Sequence, residues 1–221
     1  LIEELQCETV FTIPVLGGIP VSEAVVVTWI IMAVLVVIAF ILTRNLKVDH
    51  ISKRQAVAES IVTGLMNMVQ GMVGEKGKAY VPYLTTVMLY IGVSNIIGLF
   101  GFKSPTKDLR VTVALALMSI ILIEAAGIYH KGVKRWLHGF VEPVAIVTPI
   151  NILEVVTKPL SLCMRLFGNV LGAFVIMELL KMILPVGLPV VFSLYFDIFD
   201  GLLQAYVFVF LTSLYIDEIT E

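Results

Sequence analysis

Arg165 is the first residue in this chain whose type and position call for a chemical explanation. It stands inside an apolar run that continues to Pro185. Its guanidinium keeps its proton at any ordinary pH. A charge at the centre of a bilayer costs at least ~2.5–3.5 kcal/mol on insertion scales. The sequence therefore holds a fixed positive charge where one is expensive. On a helix, residues seven and eleven apart return to nearly the same face. Glu154, Lys158, Ser161, Arg165, Asn169 and Gly172 then form one narrow polar stripe among apolar neighbours. Two readings of the arginine stay open. It can be structural, paired with an internal carboxylate such as Glu154 or an Asp of the last helix. It can instead dock against a partner that brings its own carboxylate. Gly168 and Gly172 flank the same face and would let another helix approach closely.

The last apolar run has a matching edge. Asp197, Asp200, Gly201 and Gln204 recur at spacings that turn them one way, with Gln204 the deepest. These groups either hydrogen-bond between helices or line a watery path on which acids exchange ions with one side of a membrane. Glu124 and Glu178 are further acids inside apolar runs, open to the same two readings, a place on an ion path or local pairing with Lys181 or a backbone group.

Such residues need elements that hold them in lipid. Of the 221 residues, 59% are hydrophobic and 14% are charged, with a mean hydropathy of +1.00. Soluble domains carry about 25% charged residues, so most of this exterior must face lipid. A spanning helix needs ~20 predominantly apolar residues. The runs predict an all-α integral membrane protein organised as one membrane domain over 1–221, with five spans at about 21–43, 80–102, 111–129, 149–184 and 190–216. Residues 55–73 are helix-like but mixed, with Glu59, Asn67 and Gln70 among apolar residues, which suits an interfacial helix. Residues 1–20 read as a polar start with a turn at Gly17-Gly18 and Pro20, without the basic opening of a signal peptide. Residues 74–78 and 103–110 read as loops. The fourth helix is expected to bend or break near Pro159, and Pro185, Gly187 and Pro189 mark a turn before the last.

Basic residues cluster after the first span (Arg44, Lys47, His50, Lys53, Arg54) and after the third, in a loop holding His130, Lys131, Lys134, Arg135 and His138. The positive-inside rule puts both on the cytoplasmic side, with the N-terminus outside and the C-terminus inside. Lys103, Lys107 and Arg110, on the outer side, run against this bias.

Other signals lead nowhere. GEKGKA at 74–79 lacks the spacing of a phosphate-binding loop, and Ala79 stands where a hydroxyl would hold magnesium. The histidines sit in basic loops and are expected to be solvated, and the methionines to pack. Cys7 and Cys163 are too far apart to imply a disulfide framework or a metal site. No like-charge block points to nucleic acid, and no cofactor is expected.

Arg165-Leu166-Phe167-Gly168-Asn169, preceded by Lys158-Pro159-Leu160-Ser161, resembles the signature of subunit a of F-type ATP synthases. The likeness extends to Ser104-Pro105-Thr106-Lys107-Asp108-Leu109 with Thr112, to Pro149-Ile150-Asn151 with Glu154, and to Gln204-Ala205-Tyr206-Val207-Phe208. It covers about residues 75–217. It implies a bundle whose last two long helices form a tilted hairpin around a ring of c subunits, with Arg165 as the essential stator arginine, Gln204 as its neighbour and Asn169 on the path to the rotor. In one bacterial form of the family an acid and a histidine face each other in the outer half-channel. The corresponding positions here are Phe174 and Asp197, so that pair is not reproduced, and Glu178, one turn beyond Phe174, is the acid that could compensate.

The implied function is a non-catalytic stator subunit that carries protons or sodium ions through two half-channels of the membrane sector. The implied ion path takes in Arg165, Asn169, Gln204, Asp197, Asp200, Glu178, Glu154, Lys158 and Glu124. The implied partners are the c ring, the b-subunit peripheral stalk and the rest of the ATP synthase in a bacterial plasma membrane. A transporter working alone would need paired acids and bases around a midplane site, and the sequence shows no internal repeat of the kind many such folds carry. A passive anchor would have no use for Glu124, Arg165, Glu178, Asp197 and Asp200 within spans.

Overall fold

In lipid each backbone N–H and C=O must find its partner within the segment, so long apolar runs fold as helices. The computed structural model of the chain describes residues 9–13, 19–44, 52–100, 102, 104–139, 148–183 and 187–220. Several sequence readings fall outside these residues: the Gly17-Gly18 turn, Cys7, Lys47, His50, Lys103 and Pro185. Among the described residues five helices are long and apolar enough to cross a membrane: Glu23–Thr43, Gly77–Leu99, Leu109–Lys131, Thr148–Ile183 and Val191–Thr220. The fold class is therefore the expected one.

Its parts, in order, begin with a two-stranded antiparallel ribbon, β1 (Thr9–Ile13) and β2 (Ile19–Ser22). Helix α1 (Glu23–Thr43) buries only Ala24, Val27 and Ile31 against the rest of the chain. Its remaining apolar surface is the natural face for lipid. Helix α2 (Lys53–Met72), the mixed segment, starts at Ser52, whose hydroxyl accepts the Gln55 N–H. A 3-10 turn (Glu75–Tyr80) leads into α3 (Val81–Ile96), which has Pro82 in its first turn, where no N–H is needed. Helix α4 (Leu109–Lys131) is capped by Asp108, which accepts from the Arg110 N–H at 2.9 Å and from the Ser22 hydroxyl at 2.7 Å. One carboxylate thus starts α4 and ties down the entry of α1. Gly132, at φ 77°, ends α4 and permits the turn into the short helix α5 (Val133–Gly139). Helix α6 (Thr148–Ile183) is followed by α7 (Leu188–Ser193), a π-helical stretch (Leu194–Asp200) and α8 (Gly201–Thr220).

The core lies where α3, α4, α6 and α8 meet. Leu84, Ile123, Val209 and Ile216 fill one end of it. Ile91, Ala116, Leu162, Leu166 and Phe208 fill the middle.

Several local expectations are corrected. The polar start contains the β ribbon. The loop at 74–78 is mostly a 3-10 turn. The basic loop at 130–138 is the end of α4 plus helix α5. Helix α6 runs unbroken through Pro159, because in a spanning helix neighbouring groups can take up the backbone position that proline frees. The last span is not one regular helix, since a π turn interrupts it.

Candidate functional site

The first cavity, of about 160 Å³, lies at the end of the bundle where α6 finishes and the last span begins. Glu178, Asp197, Asp200 and Gln204 line it together, as does Gly201. The π stretch brings them to one wall. Its i→i+5 bonds fit an extra residue into the turn, and such turns are frequent at functional sites. Asp197 accepts from the Ser193 hydroxyl at 2.8 Å. It also lies tight against Gly98, where a Cβ would come within 3.2 Å of its carboxylate. Asp200 is half-buried and has no hydrogen-bond partner among the described residues. Glu178 pairs with Lys181 at 2.6 Å.

Neutral side chains hold this wall in place. Asn95 donates to the Gly201 carbonyl at 2.9 Å and accepts from the Thr106 hydroxyl at 2.8 Å. Ser104 donates to the Ser94 carbonyl at 2.7 Å. A Cβ at Gly201 would stand 2.7 Å from that of Asn95, so α3 and α8 touch only because this residue is glycine. The same network fixes the turn Pro105–Lys107 and sends Lys107 into the cavity, with its ammonium 4.3 Å from the Phe174 ring centroid. Sequence reasoning did not place Lys107, Asn95 or Ser193 at a site. The Ser104–Leu109 motif was the available signal for the first, whereas Asn95 depends on a contact distant in sequence.

The second cavity, of about 470 Å³, opens at the other end of the bundle. Glu124, Glu154 and Lys158 line it, with Lys131, Arg135, Trp136, Asn151 and Glu218. Glu124 accepts from the Trp136 indole N–H at 2.9 Å, and not from Lys181, which stands at the first cavity. Lys158 reaches two acids, Glu154 at 3.2 Å on its own helix and Glu218 at 3.0 Å on α8. Glu218 lies in the last turn of α8, outside the motifs that the sequence singles out.

Arg165 lines neither cavity. At 1.5 Å per residue it is about 10 Å along α6 from Lys158 and about 20 Å from Glu178. It is exposed, and no described residue forms an ion pair or hydrogen bond with it. A Cβ at Gly168 or Gly172 would meet nothing within 4 Å. The adjoining side of α6 is packed, with Leu162, Cys163 and Leu166 buried. Asn169 donates to Gln204 at 2.7 Å and so joins the arginine stripe to the last span. Gln204 is 2% exposed, and its amide nitrogen has no partner among the described residues. Among those residues no group of three or more His, Cys, Asp or Glu could hold a metal ion. His130 and His138 are exposed, His130 edge-on to Tyr129. Cys163 is buried with its thiol toward Thr112.

Fold and site together define an integral membrane protein with polar cavities at opposite ends of its bundle and an open cationic face between them. The family model described as ATP synthase A chain matches residues 25–217. ATP synthase subunit a of Moorella thermoacetica is 35% identical over 203 residues, covering 91% of this chain and 92% of that protein. The sodium ion specific subunit a of Propionigenium modestum is 34% identical, covering 90% of this chain and 74% of that one. One of the subunits a of Crocosphaera subtropica is 30% identical over 88% of this chain and 85% of its own length. The chain belongs to the ATP synthase A chain family. That family is the ion-translocating stator subunit of the membrane sector, and this chain is such a component of an ATP synthase.

Proposed function

We propose that the two cavities are the two half-paths of ion translocation and that Arg165 is the fixed charge between them. The observation that carries this is the position of Arg165. It is an obligate cation on an open glycine-flanked face of α6, and no carboxylate among the described residues pairs with it. Such a face fits a rotor helix of the c ring that brings its own carboxylate. An acid must be neutralised to cross lipid, and an opposite charge nearby favours its ionised form. A rotor carboxylate opposite Arg165 would release its ion toward one half-path and reload from the other.

In this reading Glu178, Asp197 and Asp200 serve the outer half-path, and Glu154, Lys158 and Glu124 the cytoplasmic one. Asn169 and Gln204 position the interface beside the arginine. The subunit works by placing charge along the path, and the transmembrane potential acts on each charge moved at ~2.3 kcal/mol per 100 mV. The ion is a proton or sodium, the latter being what the Propionigenium relative's name specifies. In this reading the c ring and the b-subunit stalk are its direct partners in a bacterial plasma membrane, with the N-terminus outside and the C-terminus cytoplasmic, the orientation that the basic residues around 44–54 and 130–138 favour.

The test is pumping per assembled complex after Arg165→Ala. ATP-driven pumping is expected to vanish and passive leak to rise. Arg165→Lys should remain severely impaired, since lysine keeps a charge but loses the planar fork and can deprotonate when buried. Normal pumping per complex in Arg165→Ala would overturn the assignment.

A further inference from the structure

Lys158 has one ammonium and two claimants. Glu154 approaches it from the preceding turn of α6 at 3.2 Å, and Glu218 from α8 at 3.0 Å. The ammonium is largely buried, with its side chain 16% exposed, whereas Glu154 and Glu218 are 46% and 54% exposed toward the second cavity. The lysine is thus a fixed internal charge, and the two acids face water. The other charged groups on that wall are Glu124, held by Trp136, and Lys131 and Arg135 from the α4–α5 corner.

We propose that Glu218 is a positioning residue for ion loading: by sharing Lys158 it keeps Glu154 from being fully neutralised and so able to take up the translocated cation. This rests on the ion-path reading above and adds to it a residue outside the family motifs. The sign follows from charge alone. Removing the Glu218 carboxylate leaves the whole ammonium to Glu154 and also removes a like charge from its neighbourhood. Both changes disfavour a further cation on Glu154. Neither changes the rotor face, which begins about two turns further along α6. Glu218 therefore acts on loading from this cavity and not on the passage past Arg165.

The experiment measures ATP-driven pumping in inside-out vesicles at equal amounts of assembled complex, with external protons and sodium varied in turn. Glu218→Gln is expected to raise the half-saturating ion concentration roughly two- to fivefold, the range over which a half-exposed ion pair moves an equilibrium. The maximal rate should be kept. Glu218→Asp, which retains the charge, should stay near the parent. In a Glu154→Gln background, Glu218→Gln should have no further effect on half-saturation. A Glu218 that merely braced the two helices would instead lower the maximal rate or the amount of complex, equally in both backgrounds and with half-saturation unchanged. That outcome would overturn the proposal. Arg165→Ala run alongside separates the two levels: if it pumps normally the ion-path reading fails, and if it is dead while Glu218→Gln loads normally only this inference fails.

Discussion

The two cavities are built on different physics. The one beside the π turn is small, about 160 Å³, and its wall is held by neutral groups: Asn95 on the Gly201 carbonyl, Thr106 on Asn95, Ser104 on the Ser94 carbonyl. The one beside α5 is about 470 Å³ and is held by long charged side chains, with Lys158 between Glu154 and Glu218. Buried neutral hydrogen bonds fix a wall, because leaving either partner unmade costs about 1–3 kcal/mol. Half-exposed ion pairs contribute only about 0–1 kcal/mol and rearrange easily. The first cavity is thus set by packing and the second by charge, and the same kind of substitution should act differently in each.

The largest effect should come from breaking the packed wall. In Gly201→Ala a Cβ would meet Asn95 at 2.7 Å, with the Asn95 backbone and its bond to the Gly201 carbonyl leaving little room to give. Overpacking of this kind costs roughly 1–3 kcal/mol, so the yield of assembled complex should fall. The contrasting change, Gly168→Ala on the open face, should leave the chain's own stability unchanged and reduce pumping per complex by spacing the rotor away. Quantifying complex and pumping separately in both variants checks the contrast, and it fails if the two behave alike.

A smaller effect is expected from charge removal without a change of shape. Asp197→Asn keeps the volume and the neighbour Ser193. It should slow pumping roughly tenfold, equivalent to about 1.4 kcal/mol on a barrier, with assembly intact. Full-speed pumping would remove Asp197 from the path. The smallest effect should be Trp136→Phe in the second cavity. It takes one hydrogen bond from Glu124, a net loss of about 0.5–1.5 kcal/mol, and the cavity's water can replace it. Pumping within about twofold of the parent is expected, and a collapse of activity would show that this wall is as rigid as the other.

This division also governs what the sequence could tell. The spans were legible because a bilayer demands a long apolar run for each, and the described helices follow those runs to within a few residues. The stripe Glu154–Gly172 was legible because helical period alone sets it. The acids Asp197 and Asp200 were placed on one wall with Gln204 by the same reasoning, although the π turn Leu194–Asp200 that carries the first two has no signature in residue type. Lys107, Asn95 and Glu218 were missed because each reaches its place through contacts between distant segments. Of the bend or break expected near Pro159, the break is absent, since local propensity was overruled by the requirement for a continuous helix in lipid. The ribbon of Thr9–Ile13 with Ile19–Ser22 lay hidden in a short polar start with no clear alternation.

The central claim is that the two cavities open to opposite sides of the membrane, with Arg165 between them. Single cysteines at positions 178 and 154, in a chain whose own cysteines are replaced, can be reacted with an impermeant thiol reagent in sealed vesicles of either orientation. The account predicts that position 178 reacts only in right-side-out vesicles and position 154 only in inside-out ones. Reaction of both positions from the same side would contradict it.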